Sequence, residues 1–333
     1  MPAVEAGGMP AIAMTDQNNL FGMVKFYRAA RGAGLKPIFG VDVLLVDEDD
    51  ENLTYHMILL CQNDAGYKNV TKLISKAYME GQKLGVPRVQ RSWIREHSDG
   101  VILLSGGREG DVGHALLAGN TDLAQKYVDD WISVFPDRYY LELQRTGRSG
   151  EDEYLHAAVA LADTNNLPVV ATNDARFLTK EDFGAHEARV CITTGFTLED
   201  KTRPKHYSEQ QFLRTAEEMH ELFSDIPEAI QNTVEIAKRC NVQITLGEVF
   251  LPKFPVPNDT TVEEYFKQQA RMGLEKRLAK LPQCQQPLSA YQDRLETELN
   301  VINTMGFPGY FLIVEAQNNY RHYDHKFLEL YCL

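Results

Sequence analysis

The chain has 333 residues, 44% of them apolar and 24% charged, enough to bury the core of one large domain with a smaller piece beside it. No run of 18 or more apolar residues occurs, which excludes a membrane-spanning helix of ordinary length. A net charge of −13 is a poor match to a surface that grips DNA unaided. The cysteines Cys61, Cys191, Cys240, Cys284 and Cys332 lie far apart with no C-x-x-C pair, a pattern of reduced thiols in a cytoplasmic protein. The opening MPAVEAGGMP has neither a basic n-region nor an apolar h-region, so no signal peptide is read there.

Along the chain, PAIAM (Pro10 to Met14) reads as a strand running into Thr15-Asp16, and Val24 to Ala33 as a helix stopped by Gly34. KPIFGVDVLLV and HMILLC (His56 to Cys61) read as strands. Asp64 is placed as N-cap of a helix through Lys76, with Val70, Leu73, Ile74 and Ala77 at helical spacing. VILLSG, YYLELQ and LPVVATND follow as strands, with helices from Thr121 to Phe135, Glu151 to Asn165 and Lys180 to Cys191. Near-continuous apolar strands alternating with amphipathic helices predict an α/β fold, a parallel sheet or barrel covered by helices. The polar strand ends Thr15-Asp16, Ser105-Gly106, Gln144-Arg145-Thr146 and Asn173-Asp174 are expected to meet at one rim. Past about residue 205 helical patterns take over: Ser208 to Phe223, Pro227 to Cys240, Val262 to Leu281 and Leu288 to Met305. The Pro-rich stretch Leu251 to Asp259 is the candidate linker.

Five blocks occur in an order and spacing that resemble the alpha-subunit family of bacterial DNA polymerase III, in its proteobacterial form. They are GMPAIAMTDQNNLFGMVKFYRAARGAGLKPIFGVDV, HMILLCQNDAGYKNVTKLISKAY, GVILLSGGREGDVG, LPVVATNDARF and LETELNVINTMGFPGYFLIV. The resemblance covers about residues 1 to 314. It implies a polymerase-and-histidinol-phosphatase (PHP) domain, a distorted βα barrel lacking its first strand, over residues 1–250. A linker over 251–261, a helical start of the polymerase palm over 262–314 and a tail over 315–333 that departs from the family follow.

Active PHP domains hold clustered metal ions, which generate hydroxide and neutralise phosphate. The family's paired-histidine strand has no counterpart in this chain. Its Thr-Asp-His motif reads Thr15-Asp16-Gln17, the Glu of the next strand is Asp42, and the His opening the strand after it is His56. Gly107 stands where the family has Cys, and Asn-Asp-x-His reads Asn173-Asp174-Ala175-Arg176. The candidate ligands left are Asp42, His56 and Asp174; an Arg, always protonated, cannot ligate a cation. No catalytic metal cluster is expected. Arg176 is expected to occupy the space of a lost metal and to pair with Asp174 or Asp42.

His114, His156, His186 and His220 fall on helical patterns and are read as packed or surface residues; His186-Glu187, at an apparent helix start after Asp182, is the pair weighed against that reading as a lining of the old site. Asp47 to Glu51 reads as a solvated loop, and Ser105 to Gly107 as a strand-to-helix turn rather than a phosphate cradle. The tail group His322, Asp324 and His325 is read as accidental composition, and the start and tail together suggest a truncated or frameshifted reading frame. The resemblance implies DNA synthesis in chromosomal replication by the full-length protein, with Mg2+ at polymerase aspartates that lie outside this chain and no cofactor within it. It implies docking of the proofreading exonuclease subunit and other replicase subunits, DNA contact only through the full-length protein, and no membrane. Two rivals stand beside it: a free-standing metal-dependent PHP phosphoesterase or pyrophosphatase, and a non-functional product with unpaired strand edges.

Overall fold

The computed structural model describes residues 1–248, 252–257, 259–280 and 287–320. The chain divides into two compact units, Met1–Ile244 and Thr245–Leu333. The first opens with helix α1 (Pro2–Ala6), strand β1 (Ala11–Met14), helix α2 (Met23–Gly32) and strands β2 (Lys36–Val46) and β3 (Thr54–Cys61). Helices α3 (Asp64–Glu80) and α4 (Arg91–Glu96) lead to β4 (Val101–Leu104), then α5 (Asp111–Leu117) and α6 (Thr121–Val134) to β5 (Tyr139–Gln144). Helix α7 (Glu151–Asn165), β6 (Val169–Thr172), α8 (Phe183–Thr194), α9 (Ala216–Leu222) and α10 (Pro227–Arg239) complete it.

The six strands lie in sequence order, β1-β2-β3-β4-β5-β6, in one curled sheet of distorted-barrel type. The sheet is mixed, which corrects the expectation of parallel strands: β1–β2, β4–β5 and β5–β6 are parallel, while β3 runs antiparallel to both neighbours. The acidic segment 47–53 that joins β2 to β3 is too short for a parallel crossover, so these two strands form a hairpin. Side chains alternate between faces with a period of two. Phe39, Val41, Val43, Met57, Leu59 and Leu141 face the helices and join Trp131, Phe135 and Tyr154 in the main core. Ile38, Leu60, Ile102, Leu104, Tyr140 and Val170 face the other way, against Ile236 and Cys240 at the end of α10.

Several boundaries shift for identifiable reasons. The N-cap of α3 is Asn63, whose side chain accepts from the Gly66 N–H at 3.0 Å, not Asp64. Residues 180–182 form a single 3-10 turn before α8. The helix read from Ser208 begins only at Ala216, behind a reciprocal Thr215/Glu218 capping box. Upstream of it the Asn173 side chain holds the carbonyls of Gln210 and Phe212 in extended backbone. Pro227 does occupy the first turn of α10.

The second unit contains α11 (Val262–Leu278), α12 (Leu288–Thr304) and α13 (Pro308–Tyr320), with Phe266, Leu299 and Leu312 buried together. Helix α13 begins at Pro308, directly after Gly306 and Phe307, and continues past Val314. Within the Pro-rich stretch, Leu251 and Asn258 lie outside the described residues, as do Cys284, Cys332, His322, Asp324 and His325. No helix among the described residues is long and apolar enough to cross a membrane.

Candidate functional site

A cavity of about 550 Å³ opens on the face of the sheet that carries Ile38, Leu60, Leu104 and Val170. Alternation puts Asp42, His56, Glu142 and Gln144 on that same face, at its other end. The parallel strands β2, β5 and β6 bring polar residues there from their carboxyl halves. Antiparallel β3 brings His56 from near its start, because the hairpin register sets Leu44 opposite His56 and Asp42 opposite Ile58. Asp42 and His56 are thus diagonal neighbours on one face.

His56 Nδ1 lies 3.0 and 2.9 Å from the two Asp42 carboxylate oxygens. Burial opposes protonation of this imidazole, but Asp42 outweighs it, and His56 titrates above its ordinary value. Asp174 follows β6 in a left-handed conformation, φ 42°. Its Oδ1 pairs with Arg176 Nη2 at 2.7 Å, and its Oδ2 accepts from Gln211 Nε2 at 2.7 Å. Arg148, whose side chain is 6% exposed, lies 3.5 Å from Asp174 Oδ2, 3.5 Å from Glu109 and 3.3 Å from Glu151. Burial raises the Asp174 carboxyl and the two guanidiniums pull it back; the balance stays above the usual value. The Arg176 guanidinium carbon also sits 5.5 Å from the centre of the Tyr207 ring.

Glu142 and Arg148 were not singled out in the sequence. Glu142 is 4% exposed. Its Oε1 accepts from Thr172 Oγ1 at 2.5 Å and Gln144 Nε2 at 3.2 Å, while Oε2 has no partner. Burial pushes this carboxyl up to about 7, the Thr172 and Gln144 bonds oppose the rise, and the nearby Asp174 and Asp42 charges add to it. A glutamate between two leucines in the strand run YYLELQ is the available signal.

The structure therefore gathers Asp42, His56, Asp174 and Arg176 at one cavity. Asp16 and Gln17 remain exposed on the loop after β1, tied to β2 only through backbone: Asp42 N donates to Asp16 O at 3.2 Å. Gly107, φ 61°, lies in a 3-10 turn after β4, where an added Cβ would come within 3.3 Å of the Gln144 side chain. His186 does not line the cavity; it is buried against Tyr207, ring centres 4.7 Å apart, and burial lowers its pKa. His220 lines the cavity, with Nδ1 2.7 Å from the Ala216 carbonyl. His156 is a surface residue of α7, and His114 packs edge-on against Tyr55.

The residues do not fit a metal cluster. Both Asp42 oxygens face His56, Asp174 is held by two guanidiniums, and Gly107 offers no side chain. Among the described residues, no group of three or more His, Cys, Asp or Glu side chains is arranged to hold a metal ion.

Residues 1–146 match the PHP domain family, and residues 264–324 match the family described as the bacterial DNA polymerase III alpha NTPase domain. DNA polymerase III subunit alpha of Pseudomonas fluorescens is 50% identical over 318 residues, covering 94% of this chain and 27% of that protein. The subunit of Escherichia coli K12 is 56% identical over 312 residues, covering 92% of this chain and 27% of that protein. That of Vibrio cholerae is 50% identical over 315 residues, 93% of this chain and 27% of that protein. One solved structure, from Bifidobacterium adolescentis, overlaps with a TM-score of 0.35 and 12% identity over 52% of this chain and 79% of that one, a likeness too loose to carry an argument. This chain spans about a quarter of the length of these curated relatives, is similar to DNA polymerase III subunit alpha over more than nine-tenths of its own length, and matches the PHP domain family over residues 1–146.

Proposed function

We propose that this chain is a PHP-bearing part of a replicative polymerase subunit, that its PHP domain is a non-catalytic docking platform, and that DNA synthesis belongs to the longer protein. The observation that carries the reading is the charge pairing at the cavity: Asp42 closes on His56, and Asp174 on Arg176 and Arg148. With Asp42 and Asp174 taken up by the chain's own side chains, the unpartnered oxygen of Glu142 is too little to hold the cations that metal-assisted phosphate hydrolysis requires. The partner proposed for the platform is the proofreading exonuclease subunit. The net charge of −13 suits protein docking better than direct DNA contact.

Mixing the folded chain with the proofreading exonuclease subunit and separating the mixture by size-exclusion chromatography tests the docking. Co-elution is expected; separate elution of two folded proteins overturns it. The rival reading, a metal-dependent phosphoesterase, is tested by elemental analysis of the purified chain and by phosphatase assay with Mn2+ or Zn2+. Stoichiometric bound metal with turnover would replace the docking-platform account.

A further inference from the structure

Three of the large side chains left in water on the first unit, Phe21, Tyr78 and Leu84, come from the loop after β1, the end of α3 and the turn that follows it. Phe21, on the loop between β1 and α2, is 82% exposed, and its ring centre lies 6.5 Å from that of Tyr78 near the end of α3. Gln82 donates to the Tyr78 carbonyl at 2.8 Å and leads into a tight two-residue turn. Lys83 and Val86 exchange both backbone hydrogen bonds, at 3.1 and 3.0 Å, around Leu84 and Gly85. Leu84 has φ 53° and Gly85 φ 80°. A turn with two left-handed central residues suits Asn, Asp or Gly. A leucine there sets its Cβ against its own backbone, and this one is 98% exposed. The fold gains no buried contact in return, the condition under which local strain points to a use outside the fold.

The surroundings are acidic. Lys83 Nζ reaches Glu51 at 2.9 Å and Asn52 at 2.8 Å, which places the turn beside the loop Asp47 to Glu51. Five consecutive carboxylates there outnumber the cations that answer them, Lys83, Arg88 and Arg91. Asp49 and Asp50 are exposed.

We propose that Phe21, Tyr78 and Leu84, edged by Asp49 and Asp50, form a docking surface for a polypeptide whose apolar side chains are flanked by Lys or Arg. Aromatic and leucine anchors supply the area removed from water, and the carboxylates select the partner's charge. Nucleic acid is repelled by the acidic loop, and a second copy by the net charge of −13 that both would carry. This surface is separate from the cavity and stands whether or not the exonuclease docks.

The test is calorimetric titration of the full chain with a short amphipathic Leu/Lys peptide and its Leu/Glu counterpart, with amide-exchange mapping of the complex. Saturable binding of the Leu/Lys peptide is expected, with protection at the Phe21 loop and the Leu84 turn. Leu84→Asn suits the left-handed turn better, so it should keep or raise the melting temperature while weakening binding roughly tenfold; Phe21→Ser should weaken it similarly. The proposal is overturned if the Leu/Lys peptide does not bind, if Leu/Glu binds as well, or if neither substitution changes the affinity.

Discussion

Glu142 is buried with one oxygen bonded and the other without a partner, between two further carboxylates. Its folded-state pKa of about 7 lies above the ordinary 4.5. The folded state therefore binds the proton more tightly than the unfolded one, and the stability this adds is full below about 4.5 and lost as pH rises to about 7. The shift corresponds to about 3 kcal/mol. His56, also raised, acts in the same direction through its own titration. Glu142→Gln should remove the glutamate's share: denaturant midpoints at about pH 5 and about pH 8 should differ much less in the variant than in the parent. An equal loss in both proteins would show that this carboxyl does not control the pH response.

Arg148 supports the cavity from behind. It donates to Gln144 Oε1 at 2.6 Å and to Thr146 Oγ1 at 3.0 Å, while Glu151 accepts from the Thr146 N–H at 2.6 Å. Arg148→Ala leaves Glu151 and Asp174 short of a buried partner and should cost about 3 kcal/mol or more. Lys in its place supplies the charge without the fork and should recover only part of that loss. Chemical denaturation of the two variants checks the order.

Between β4 and α5 the chain turns through Gly106, φ 74°, where an added Cβ would lie 1.8 Å from the His56 carbonyl. Gly106→Ala should therefore push this turn off β3, cost about 2 kcal/mol or more, and loosen the His56–Asp42 pair. In an NMR titration the His56 pKa should then fall back toward the ordinary value, whereas an unchanged His56 resonance would show that the turn does not hold the strand in place. At this scale the sequence was legible where signals are local. The strands, Pro227 and the helical spacing of α3 follow from neighbouring residues. The capping box Thr215-Ala216-Glu217-Glu218 was equally local and marks where α9 starts, but the amphipathic pattern upstream of it concealed it. What resisted was pairing. Every residue of β5 is buried, so the run YYLELQ does not display which face Glu142 takes; only the register against β4 and β6 decides that. Arg148 could not be found from spacing, since its partners Glu109 and Asp174 come from distant segments.

At the scale of the molecule, each unit has hydrophobic clusters of its own among the described residues. Three lie within residues 1–244, and the fourth contains only residues after 245. A fragment Met1–Ile244 should accordingly fold alone and melt cooperatively, which circular dichroism and calorimetry would establish. A broad, non-cooperative transition would favour the non-functional product. Strands β1 and β6 each have one strand neighbour in the sheet, so aggregation during such a melt is expected to begin at these edges.

The Arg176–Asp174 pair has a consequence for how the molecule depends on its surroundings. A metal-built barrel mouth holds its charge balance on loan from the solution and loses it to a chelator or in a metal-starved cell. A guanidinium is carried on the chain itself and cannot diffuse away. The same balance is present from the moment β6 and the loop after it are in place, whatever the composition of the medium. EDTA should leave the melting temperature of this protein where it was.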